Sequence, residues 1–207
     1  MSHDPANVEG SPALGGMSTP PNWAIVSNNC WGAGLYQERR LRYNTPFVGL
    51  FLYPDDYVML LQNFRALMSQ QVSFREGSRL GPRSYPVGVL GGEVEIQFMH
   101  YQGQDEALRK WSARAARLPV DDDALYFKAC DREGFAPAHL AAFGALPFRN
   151  KVAFVKKGRF DVADCPWAVE VPTTSGAVPD GDKLWAATRS GAMFNAYDWV
   201  GRTPQGG

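Results

Sequence analysis

Three residue types suited to acyl chemistry occur where short apolar runs end. Cys30 follows the run that begins at Trp23, His100 lies near the end of VEIQFMHY (94–101), and Asp55 and Asp56 follow PFVGLFLY (46–53). A thiol nucleophile, an imidazole base and an orienting carboxylate are the set that covalent acyl transfer requires. Gly32 and Gly34 mark a turn from strand into helix just after Cys30. A thiol at a helix start has its pKa depressed by backbone N–H groups and the helix dipole. Asn28 or Asn29 beside it would donate to a developing oxyanion. Each assignment has a plainer rival. Free cysteine is among the most buried residues. His100 could pack on the Val94/Ile96/Phe98 face, and acids in a first helical turn are usually caps and dipole partners. His100 is preferred because His3 lies in a polar tail and His139 sits beside Leu140 in a short helical stretch.

Trp31, Tyr36 and Tyr101 are the expected stacking surface for a flat or sugar-like ligand, with Asp56 as a further binding residue. Lys156, Lys157 or Arg83 would hold the phosphates of a donor. The turn NNCWGAG is also a weak dinucleotide signal, with Asp55 following at a suitable distance. Gln37 at the third glycine position and the bulk of Trp31 speak against it. No GxSxG, Walker A or HExxH pattern occurs, and Cys30, Cys130 and Cys165 have neither CxxC nor paired spacing. The expectation is a reduced, cytoplasmic protein with no metal and no resident cofactor.

Five apolar runs of strand length position these residues. They are WAIVSNN from Trp23, PFVGLFLY (46–53), VEIQFMHY (94–101), ALYFKAC (124–130) and KVAFVKK (151–157). Helical spacing fills the gaps. Pro54 opens a stripe through Tyr57, Leu60, Leu61, Phe64, Leu67 and Met68, and a second helix over 105–117 aligns Leu108, Trp111 and Ala115. Shorter helices are expected over 35–43 and from Pro137 to about Phe143. Strands alternating with helices imply an α/β sheet covered on both faces, with ligands outside the carboxyl ends of its strands. The Gly/Pro/Ser-rich stretch 75–92 reads as a long loop of functional kind. The elements after Trp167 are not legible.

The chain has 207 residues, with 21 Lys+Arg balancing 21 Asp+Glu. That length suits one domain, here 23–200, between tails 1–22 and 201–207 that read as disordered. Zero net charge argues against nucleic-acid partners. The first residues have no basic-then-apolar signal pattern, and no apolar run is long enough to span a bilayer. The 21 Gly and 15 Pro imply many turns. The 6 Trp, 8 Tyr and 12 Phe imply a large aromatic core or a stacking surface.

The segments IVSNNCWGAGLYQ (25–37), YNTPFVGLFLYPDDYVMLLQN (43–63), YPVGVLGGEVEIQFMHY (85–101), 106–111 and LPFRNKVAF (146–154) resemble a bacterial family, the domain of unknown function 1919. Its members are often labelled exopolysaccharide-biosynthesis proteins. The resemblance covers about residues 23–155. Ala33 departs from the family's usual SNNCWGG. It implies a three-layer α/β/α fold with a mostly parallel, mixed sheet of five or more strands, and brings no established activity. Looser similarity links the Asn-Cys block to capsule-associated acyltransferases related to the SGNH hydrolases, with Cys in place of Ser. Together these yield an expected acyltransferase, moving an acyl group from a thioester such as acetyl-CoA to a sugar or polysaccharide precursor through Cys30 and His100. A cysteine hydrolase at the same site and a non-enzymatic glycan- or nucleotide-sugar-binding module are the alternatives.

Overall fold

The computed structural model describes residues 19–189, 191 and 193–201. Four of the expected strands form, in two separate sheets. The first sheet contains β1 (Ala24–Ser27), β5 (Leu125–Cys130), β6 (Asn150–Lys156) and β7 (Ala168–Val171), in that order and all parallel. The second is an antiparallel meander of β2 (Val72–Arg75), β3 (Val87–Leu90) and β4 (Val94–Gln97). The fold is α/β, but the seven described strands divide four and three, and no five-stranded sheet forms among the described residues.

Alternation along the parallel strands explains why both its faces are buried. Ala24, Val26, Leu125, Phe127, Ala129, Ala153 and Val155 join one core. To it α2 (Pro54–Gln62), α3 (Phe64–Met68), α4 (Gln104–Ala115) and α5 (Pro137–Ala145) contribute Tyr57, Phe64, Trp111 and Phe143. Ile25, Tyr126, Val152, Phe154 and Val171 point into a second core. It is completed by Tyr36 from α1 (Ala33–Glu38), Trp185 from α6 (Gly181–Thr188) and Trp199 from α7 (Ala196–Gly201), together with Trp31.

The run 46–53 is not a strand. Its backbone bonds go to two different sheets: Leu52 N–H to Asn28 O (3.0 Å) just past β1, and Phe51 reciprocally to Gln97 at the end of β4 (3.0 and 2.9 Å). Gly49, at φ 71°, bends the chain just before these attachments, and the adjacent residues Phe51 and Leu52 bond to different sheets, so no continuous ladder forms. This segment splices the two sheets together.

The stretch 75–92 is more ordered than expected, since it contains β3. Its remaining turn is pinned by Glu95, which is almost wholly buried. The Glu95 carboxylate accepts from Ser78 Oγ (2.7 Å) and Arg79 N (2.8 Å) and lies 3.0 Å from Arg75 Nη1. On the helical side the 54–68 stripe breaks at Asn63, giving α2 and α3. In α4 the inward residues are Ala107, Lys110, Trp111 and Arg114, whereas Leu108 is exposed. The expected tails fall mostly outside the described residues. Within them, Pro21 O accepts from Asn44 Nδ2 (2.8 Å) and Gly201 ends α7. No helix among the described residues is long and apolar enough to cross a membrane.

Candidate functional site

The splice at 46–53 creates the site. It fastens the carboxyl end of β1 to the turn after β4, so Cys30 and His100, far apart in sequence, line one cleft of about 290 Å³. That volume is at the small end for small-molecule sites. Asn28, Asn29, Phe51, Leu52 and Met99 complete these two walls, and Arg132 and Glu133 follow β5. A wall of Asp180, Gly181 and Asp182 comes from the start of α6. The backbone at Gly181 lies so close to the 3-10 turn Cys30–Gly32 that a Cβ there would sit 2.8 Å from Trp31 N. Only glycine permits that approach.

Beneath the cleft floor lies an unusual polar cluster. Lys128, on β5, is fully buried and donates to Asn29 Oδ1 (2.8 Å) and Asn28 Oδ1 (3.2 Å). Both asparagine amide nitrogens point to Cys130 Sγ, at 3.2 Å from Asn29 and 3.6 Å from Asn28. Asn29 Oδ1 also accepts from Trp31 N (3.2 Å), capping the 3-10 turn. Burial holds the Lys128 amine below its ordinary pKa, since the charged form loses hydration.

Cys30 keeps a little exposed surface but is densely enclosed, and its thiol donates weakly to Leu50 O at 4.0 Å. Its pKa is pushed up to about 12, first by burial and then by the negative charge of Asp182; Lys128 opposes this without reversing it. The expectation of a depressed thiol pKa at a helix start is therefore corrected. Desolvation outweighs the dipole of a single 3-10 turn. Asp180, by contrast, is held below the usual carboxylate range: burial raises its pKa, but the Lys183 backbone N–H and ammonium outweigh that. His100 bonds through its backbone to Gly49 O (3.1 Å), and its ring has no hydrogen-bond partner among the described residues.

Other anticipated site residues lie elsewhere. Asp55 is exposed and is not among the residues lining the cleft; its carboxylate lies 2.7 Å from His139 Nε2, so the third member expected beside His100 is paired with another histidine. Asp56 is buried against the antiparallel sheet, accepting from Glu95 N (2.8 Å) and Arg79 Nη2 (2.7 Å). Trp31, Tyr36 and Tyr101 are core residues rather than a stacking surface. Trp31 donates to Thr188 Oγ1 (2.9 Å), Tyr36 to Asn44 Oδ1 (2.7 Å) and Tyr101 to Val48 O (2.6 Å). Asn28 and Asn29 do border the cleft, and each side-chain amide nitrogen turns one donor toward Cys130 Sγ. Gly34 packs against the Trp185 indole, which leaves no room there for a pyrophosphate. Sequence reasoning missed Arg132, Glu133, Asp180 and Asp182. For the last two a signal existed: Pro179-Asp180-Gly181-Asp182 is a helix-start pattern.

Among known proteins, the chain is similar to an uncharacterized protein of Haemophilus influenzae, 37% identical over 139 residues. The match covers 67% of this chain, and this chain spans 64% of that protein's length. The family model described as "Domain of unknown function (DUF1919)" matches residues 19–164, a span that includes β1, the splice, the antiparallel sheet, Cys30 and His100. The chain belongs to the DUF1919 family.

Proposed function

We propose that the protein is an acyltransferase that moves an acyl group from a thioester such as acetyl-CoA to a hydroxyl of a sugar or polysaccharide precursor. The observation that carries this is the meeting of an unpartnered imidazole, His100, with Cys30, Arg132 and the carboxylates of Glu133, Asp180 and Asp182 in one cleft. The raised thiol pKa favours direct transfer over an acyl-enzyme. His100 takes the proton of the acceptor hydroxyl, and the oxygen attacks the thioester carbonyl. The carbon–sulfur bond then breaks, and the leaving thiolate takes the proton back from the imidazolium. The carboxylates are placed to accept from sugar hydroxyls. Acyl-CoA is a co-substrate here, and no resident cofactor is invoked. The same reading takes the fold as three-layer, supported by the separate core on each face of the parallel sheet. It places the protein in a reducing, cytoplasmic setting, supported by Cys30, Cys130 and Cys165 all being free.

The test is acyl transfer from acetyl-CoA to a panel of sugars, followed by mass spectrometry. His100→Ala should lower turnover about 100-fold or more, the usual contribution of a general base. Cys30→Ala should retain turnover within about 10-fold if transfer is direct. Equal activity of wild type and His100→Ala defeats the proposal. A second reading, a glycan-binding module without turnover, is favoured by the neutral thiol. It wins if sugars bind and no acyl product forms.

A further inference from the structure

The residues expected to stack on a ligand are buried, yet three other aromatic rings run from the cleft mouth. Phe51 lines the cleft, and its ring lies 5.2 Å from that of Tyr53, edge-on. The Tyr53 hydroxyl accepts from Arg83 Nη2 at 3.0 Å. Tyr85 is near enough for the charges of Arg83 and of Glu133, itself a cleft residue, to act on its hydroxyl. All three rings are half-buried, so part of each remains open to solvent. Arg83 is anchored by Pro82 O (2.9 Å) but makes no ion pair among the described residues. Its neighbours Arg75 and Arg79 are both spent on Glu95 and Asp56.

A half-exposed ring with a hydroxyl at its edge offers an apolar face and a polar handle. An unpaired guanidinium beside it selects a planar anion, to which it can bond in bidentate fashion. Pyranose rings carrying a carboxylate combine both features. We propose that Phe51, Tyr53, Arg83 and Tyr85 form a second subsite, continuous with the cleft, for an adjoining uronic-acid residue of the acceptor, which makes the acceptor an acidic oligosaccharide rather than a single sugar. This rests on reading the cleft as a sugar site.

Calorimetric titration with oligouronides of one to four units (galacturonate, glucuronate and mannuronate series), and with neutral maltooligosaccharides of equal length, tests it without any turnover. The expected result is an affinity at least 10-fold higher for an acidic trisaccharide than for its monosaccharide, with a weaker gain in the neutral series. Arg83→Met should abolish the preference for acid, and Tyr53→Ala with Tyr85→Ala should flatten the length dependence. Thermal melts of each variant should match wild type, since all three side chains are partly exposed. His100→Ala should keep the length dependence. Monosaccharide binding with no gain on lengthening, or equal gain in both series, overturns the subsite while sparing the sugar reading of the cleft. Absence of binding by every sugar overturns both.

Discussion

Cys30 lines the cleft, yet its enclosure holds the thiol in the protonated form well above neutral pH. Its position after a strand and before a turn was readable, because the continuous apolar run from Trp23 and the glycines beyond mark both boundaries. Its protonation state was not readable, because that depends on enclosure and on Asp182, 152 positions later in the chain. A thiol with a pKa near 12 reacts with iodoacetamide at a rate still rising at pH 10 and above. The measurement belongs in a Cys165→Ser background, since Cys165 is also partly exposed and Cys130 is not. A plateau below pH 9 would show an activated thiol and restore the covalent mechanism. The same shift sets a sign for stability. The unfolded thiol ionises near its ordinary value while the folded one resists up to about 12, so stability falls as pH rises through that window. Buried Tyr36 and Tyr57, both raised by burial, act in the same direction.

At the scale of elements, the packing of α6 on the 3-10 turn is the contact that a substitution should test. Gly181→Ala forces a methyl group to 2.8 Å from the Trp31 nitrogen and 3.2 Å from the Cys30 carbonyl carbon, so helix or turn must move. The expected cost is about 1–3 kcal/mol in urea unfolding, as for other overpacked contacts. A variant as stable as wild type would show that α6 is free to shift. The elements divide by legibility. Strands buried on both faces, β1, β5 and β6, announce themselves as continuous apolar runs, and α2 and α4 by their spacing. The run 46–53 has the composition of a strand but gives its hydrogen bonds to two partners, which no local pattern encodes. β3 was hidden in a Gly/Pro-rich stretch, β7 is a run of only four residues, and α6 and α7 were hidden because Trp185 and Trp199 pack across long sequence distances.

For the whole molecule, the family match ends at residue 164, but the second core does not. Trp31 is fully buried beneath Trp185, Phe194 and Trp199, with ring centroids 5.5, 6.4 and 6.1 Å away. A chain ending at 164 would uncover Trp31 and Phe154 and lose β7. It should therefore lose the sharp thermal transition of the full chain and bind hydrophobic dye, since it loses several packed aromatic side chains, each worth about 3–5 kcal/mol. A cooperative melt of that fragment would show that the matched segment folds without the rest.

The walls of the cleft also differ in how they are held. Those bearing Cys30 and His100 are joined through the splice by backbone hydrogen bonds from Leu52 and Phe51. The Asp180–Asp182 wall has only the close packing of Gly181 and side-chain bonds such as Trp31 to Thr188 behind it. The three walls are thus joined unequally: a side-chain substitution can loosen the α6 wall but cannot cut the backbone bonds that tie the other two together.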